Sequence, residues 1–145
     1  MIKRFRSRFR RRAGFSLIEV LIGVFLVAVA VIGLAQLILI GMMNNSRASD
    51  IANAVFLAQQ EIDYLRTLTH DELLAIPSTT NELLDLNADG STDFRRITVV
   101  TFQDPAFAVK VLVFSTAQAL ANQSDLIANP ERNRVRARME TVISR

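Results

Sequence analysis

A chain of 145 residues is long enough for one modest domain plus one membrane element. It has no cysteine and a single histidine, His70, which excludes a disulfide framework, a thiolate metal site, a cysteine nucleophile and any histidine cluster or triad within one chain. The formal net charge of +3 conceals two opposite parts. Lys3, Arg4, Arg6, Arg8, Arg10, Arg11 and Arg12 are seven positives, with no acid, in the first 14 residues; removing them from the 17 basic residues leaves ten against 14 acidic, so the remainder is formally −4.

The basic leader ends directly at an apolar run. An arginine-rich tail can bind nucleic acid, but one abutting a hydrophobic span reads more simply as the positive-inside signal of a membrane protein, so no nucleic-acid partner is inferred. From Phe15 to Met43 the clearly polar residues are Ser16, Glu19 and Gln36. As a helix this stretch would be about 43 Å long, against a hydrocarbon core that needs about 20 residues. A secretory h-region is shorter, about 7–15 residues, and ends at a small-residue cleavage site, so the segment reads as an anchor. Glu19 is the residue to explain. A charge at mid-bilayer costs roughly 2.5–3.5 kcal/mol on insertion scales, which makes it a functional-site candidate whose partner must be named.

The junction Gly14-Phe15-Ser16-Leu17-Ile18-Glu19-Val20-Leu21, after a short arginine-rich leader, resembles the class III signal of type IV pilins and type II secretion pseudopilins. The resemblance extends to about residue 70. It implies that a prepilin peptidase cuts between Gly14 and Phe15 on the cytoplasmic side and methylates the new amino terminus, making Phe15 N-methylphenylalanine. It also implies that Glu19 pairs with the amino terminus of a neighbouring subunit as helices pack into a filament. The implied partners are the peptidase, other pilins or pseudopilins, inner-membrane lipid and an inner-membrane assembly platform. The implied location is a single pass of the inner membrane, amino terminus cytoplasmic and head periplasmic, followed by a cell-surface pilus or a periplasmic pseudopilus. The alternative to pairing is that Glu19 snorkels to the interface or stays protonated. Gly14 itself suits a scissile site, because it has no side chain to obstruct a protease cleft.

Past Met43 the helical pattern continues. Ala48, Ile51, Val55, Ala58, Ile62 and Leu65 recur at spacings of three and four, with Arg47, Asp50, Gln59, Gln60, Asp63 and Arg66 largely off that stripe. One helix is expected from about Ser16 to Leu68, without the proline that major pilins usually carry in the apolar part. The segment Leu57–Arg66 resembles the helix end of minor pilins of the PilV type and of related minor pseudopilins. Thr69-His70-Asp71-Glu72 fits a capping box opening a short helix that Pro77 ends, and places His70 on its surface.

Asp85, Asn87, Asp89, the Ser91 carbonyl and Asp93 stand at alternate positions around Gly90, as oxygen ligands do in a calcium loop. The twelfth position, where a bidentate acid belongs, is Arg96. The competing reading is an Asx-rich turn before a strand. A structural calcium ion is the one cofactor this sequence suggests, and none is required. Arg95–Phe102 and Ala108–Thr116 read as strands joined through Gln103-Asp104-Pro105, Asn122–Asn133 as a loop, and Arg134–Ile143 as a third strand. In that third strand Val135, Ala137, Met139, Thr141 and Ile143 face inward, and the arginines form its wet face.

The expected fold is α+β and pilin-like: a leader (1–14), a membrane or filament-core helix (15–43), its amphipathic continuation (44–69), a loop region with short helices and the acidic turn (70–93), and a small antiparallel sheet (94–145). The expected function is that of a minor pilin. Open beside it are a minor pseudopilin of a type II secretion system and an uncleaved single-pass anchor with a periplasmic binding domain. No set of residues forms a catalytic constellation, so an enzyme is the weakest class.

Overall fold

In the computed structural model, residue 14 and residues 16–144 are described. The basic leader, as far as residue 13, and Phe15 lie outside the described residues. The chain divides into two compact units, residues 1–43 and 44–145.

Helix α1 (Leu17–Thr67) begins where the Ser16 carbonyl accepts the Glu19 N–H at 3.0 Å and the Val20 N–H at 3.2 Å. It contains no proline, so the backbone ladder is never short of a donor. In the first unit its apolar side chains are exposed on every face. By length and composition this part of the helix can cross a membrane.

In the second unit the rest of α1 packs on a four-stranded antiparallel sheet in the order β1-β2-β3-β4. The strands are β1 (Thr79–Leu84), β2 (Phe94–Gln103), β3 (Ala106–Ser115) and β4 (Ala137–Ser144). The core lies between α1 and one sheet face. Ala54, Leu57, Ala58, Ile62 and Leu65 of the helix meet Phe94, Val100, Phe107, Val109, Val111, Val113, Ala137 and Ile143. On the other face Ile97, Leu112 and Phe114 are covered by Leu126 of helix α3 (Gln123–Ala128). The β2–β3 hairpin turns through a cis Asp104–Pro105 peptide.

Several expectations need correction. Of the stripe expected on α1, Ala58, Ile62 and Leu65 are buried, but Ala48, Ile51 and Val55 are exposed, and Ala54, Leu57 and Glu61 are buried in addition. Spacing alone could not choose between these faces, because apolar residues sit on both. The sheet has four strands rather than three. Strand β1 falls inside the stretch read as loop, since Thr-Thr-Asn-Glu-Leu-Leu shows no period-two alternation and its pairing with β2 makes it a strand. The Asn122–Asn133 loop contains helix α3, whose N-cap Asn122 accepts the Ser124 N–H.

The capping box forms as expected: helix α2 (His70–Ala75) starts with the Thr69 hydroxyl accepting the Glu72 N–H and the Glu72 carboxylate accepting the Thr69 N–H at 2.7 Å. His70, however, is half-buried, its ring edge-on to Phe107 at 5.2 Å and to Phe102 at 5.9 Å between centroids. In β4 the alternation holds: Ala137, Met139, Thr141 and Ile143 are buried or half-buried, while Arg138, Glu140 and Val142 are exposed.

Candidate processing and assembly site

Gly14 is exposed, with open space where a Cβ would stand. Phe15, the residue expected to be methylated, lies outside the described residues. Glu19 sits in the first turn of α1 and is exposed. Its carboxylate is near the positive end of the helix dipole, which favours an anion there. Among the described residues it has no ion-pair or hydrogen-bond partner. The structure thus brings Gly14 and Glu19 to one helix end and leaves both accessible.

The acidic turn is elsewhere, between β1 and β2. Asp85 Oδ2 accepts the Gly90 N–H at 2.8 Å, Asn87 Oδ1 accepts the Asp89 N–H at 3.1 Å, and Asp93 Oδ2 accepts the Leu86 N–H at 2.9 Å. Asp89 Oδ1 accepts both the Ser91 N–H at 2.8 Å and the Ser91 hydroxyl, which hold its carboxyl below the usual range. Gly90 takes the left-handed conformation, at φ +85°, that the turn needs. As placed, these side chains fold back on their own backbone. Among the described residues no group of three or more acidic or histidine side chains is arranged to hold a metal ion. The donor set therefore fits an Asx turn better than a calcium shell.

Arg96, the residue at the twelfth loop position, has a different task. It points to the helix, where its guanidinium lies 2.8 Å from Glu61, with both side chains about nine-tenths buried. The same guanidinium reaches Glu82 of β1 and donates to the Leu57 carbonyl at 3.3 Å. The Thr98 hydroxyl donates to Glu61 at 3.4 Å. Burial pushes the Glu61 carboxyl above its ordinary value; Arg96 pulls it down and Glu82 pushes it up further. Sequence reading missed this buried polar seam. The only signal was an acid at position 61 beside the apolar stripe.

The chain matches the prokaryotic N-terminal methylation motif over residues 9–35. The matched segment contains the Gly14–Phe15 junction, Glu19 and the first turns of α1. Neither the curated proteins nor the solved structures gave a match to the chain. With a class III prepilin signal at the head of a long apolar helix, and that helix packed on a four-stranded antiparallel sheet, this chain has the signal and the α+β architecture of a type IV pilin-like or pseudopilin protein.

Proposed function

We propose that the protein is a minor pilin, a structural and assembly subunit of a type IV pilus. It would be cleaved after Gly14, methylated at Phe15 and polymerised through α1. The observation that carries this reading is the accessible acid at Glu19, unpaired among the described residues and four residues beyond the methylation junction at the start of an apolar helix. Cleavage gives Phe15 a free α-amino cation. In a packed filament that cation on one subunit can neutralise Glu19 on the next and fix its axial register. Neutralisation removes a cost of roughly 2.5–3.5 kcal/mol for an unpaired charge in hydrocarbon. The family is a structural one, and the mechanism is polymerisation, not turnover. Before assembly the subunit would span the inner membrane with its amino terminus cytoplasmic and its head periplasmic. The resemblance of Leu57–Arg66 to minor pilins supports the minor role.

The chain expressed with and without prepilin peptidase is expected to differ at its amino terminus. With peptidase, mass spectrometry should read a methylated Phe15; without it, the full leader. An unshortened chain in the presence of active peptidase overturns the filament reading in favour of an uncleaved anchor.

The second reading is a minor pseudopilin of a type II secretion system, which the N-terminal methylation motif supports equally. Neighbouring genes separate the two, pilus assembly genes against secretion genes. The carboxylates of the turn Asp85–Asp93 are already satisfied by N–H groups, so the turn holds its shape without a cation. Thermal melting of the full chain in detergent is expected to give the same Tm with and without millimolar calcium. A rise of several degrees would assign a calcium ion to Asp85, Asn87, Asp89, Ser91 and Asp93, because a ligand bound only by the native state raises stability by mass action.

A further inference from the structure

The chain has five glycines, and Gly90 is the one that follows an aspartate or an asparagine. At the Asp89–Gly90 bond a carboxyl side chain thus stands next to a backbone nitrogen that no Cβ shields. Such a bond can rearrange without an enzyme. The Gly90 nitrogen attacks Asp89 Cγ. The N–Cγ bond forms, one Cγ–Oδ bond breaks, and that oxygen leaves as water with the Gly90 N–H proton and one proton from solvent. The product is a five-membered succinimide. Water then adds at one of its two carbonyl carbons. Addition at Cγ restores aspartate. Addition at the main-chain carbonyl carbon of Asp89 breaks its bond to the Gly90 nitrogen and leaves the backbone running through Cβ and Cγ, as isoaspartate. No electron is exchanged, and water is the co-reactant.

The fold supplies the steric conditions for this step. Asp89 and Gly90 are both exposed, and open space surrounds the position where a Gly90 Cβ would stand. Gly90 is at φ +85°, the left-handed region that favours glycine. The connection between β1 and β2 therefore calls for glycine at this point, and the labile bond comes with it.

The same turn ties down the atoms that the rearrangement uses. The Gly90 N–H donates to Asp85 Oδ2 at 2.8 Å, so the nitrogen's proton is held by a carboxylate whose charge opposes its loss to solvent. Asp89 Oδ1 accepts the Ser91 N–H at 2.8 Å and the Ser91 hydroxyl, and Asp89 Oδ2 accepts the Asn87 side-chain amide at 2.9 Å. Whichever oxygen is to leave is hydrogen-bonded. These donors hold the Asp89 carboxyl below its usual range, in the ionised form that a nitrogen nucleophile attacks least readily. Ring closure has to wait for these bonds to open locally.

We infer that Asp89–Gly90 is a site of spontaneous isoaspartate formation, latched in the folded head by Asp85 on the nitrogen and by Ser91 and Asn87 on the carboxyl. Isoaspartate adds one atom to the backbone between β1 and β2 and moves the carboxyl away from Ser91, so a turn once rearranged does not regain the same bonds. This holds whether or not the chain enters a filament.

The full-length chain in detergent is held at neutral pH and physiological temperature, and isoaspartate at position 89 is read by peptide mapping with fragmentation that separates the two linkages. The chain unfolded in urea is expected to isomerise at least about ten-fold faster than the folded chain. Asp85→Ala and Ser91→Ala are each expected to speed the folded chain about ten-fold, the factor contributed by one hydrogen bond to a charged group. Ser91→Thr keeps both the hydroxyl and the N–H and should match wild type. The Tm of each variant is measured alongside. Where Asp85→Ala or Ser91→Ala melts lower than wild type, its rate is compared with that of Glu61→Gln, which weakens the head without touching this turn. The latch is overturned if folded wild type isomerises as fast as the unfolded chain, or if Asp85→Ala and Ser91→Ala are no faster than these references.

Discussion

A Glu19→Leu chain is expected to be cleaved normally and to enter filaments about 10- to 100-fold less efficiently than wild type. In the membrane, leucine relieves the single subunit of a charge that costs up to roughly 2.5–3.5 kcal/mol, the mid-bilayer figure. The wild-type subunit can recover that energy only on meeting a cation, so the same energy drives it from lipid into the assembly. Leucine removes the drive and also leaves the neighbour's α-amino group without an anion. At 1.4 kcal/mol per factor of ten, the mid-bilayer figure is about two orders of magnitude, and a position in the first turn of α1 lowers the loss to between one and two. Glu19→Gln keeps the length and the hydrogen-bonding atoms but not the charge, and should fall close to leucine. Glu19→Asp keeps the charge on a shorter arm and should lie between. The measurement is the fraction of subunit in sheared filaments relative to cleaved subunit in the membrane. Equal incorporation of wild type, Gln and Leu would remove the pairing account, because both substitutions delete the charge.

The second large effect is on the head. Glu61→Leu is expected to destabilise it by about 3 kcal/mol, the lower part of the range for breaking a buried ion pair, because Arg96 keeps Glu82 as a partner. Leucine leaves the guanidinium facing an apolar surface and removes the acceptor of the Thr98 hydroxyl. Glu61→Gln should cost less at neutral pH, because an amide oxygen can still accept from Arg96 and Thr98.

The two forms should also respond differently to acid. Burial raises the Glu61 pKa above its ordinary 4.5, so this group favours the folded state fully below pH 4.5, and the benefit fades as pH rises through the raised value. Four exposed carboxyls act in the opposite sense. Glu72 is held low by the Thr69 N–H and hydroxyl, Asp89 by Ser91, Asp125 by the Asn133 and Asn129 amides, and Glu140 by Arg138 and Lys110. Their contribution is present above their ordinary values and is lost as pH falls through the lowered ones. Wild type therefore has one group that offsets acid loss, and Glu61→Gln has none. The Tm of wild type minus that of Glu61→Gln is expected to grow as pH falls from 7 to 4. A difference that shrinks over that range would mean that Arg96, not burial, governs the carboxyl.

Together these variants test two uses of a carboxylate on one helix. Glu19 is exposed, with a partner sought outside the described chain. Glu61 is buried, with its partner supplied by the sheet.

The elements that could be read from the amino-acid order were those whose signal is local. The helix start after Ser16 follows from apolar residues without proline, the Thr69–Glu72 box from a cap whose partner is three residues away, and the in-and-out order of β4 from alternation along a single strand. The methylation junction belongs with them, because a peptidase reads it as a short linear stretch. Strand β1, the face of α1 that is buried, the Glu61–Arg96–Glu82 seam and the burial of Arg95 were decided only in three dimensions. Each depends on a partner distant in the chain: β2 gives β1 its hydrogen bonds, and the sheet selects Leu57 and Glu61 over Ile51 and Val55. Arg95 donates to the carbonyls of Gln118, Ala119 and Ala121, more than 20 residues away. Sequence periodicity shows that a face can be buried; only packing determines which one meets a surface and which buried charge finds its counterpart.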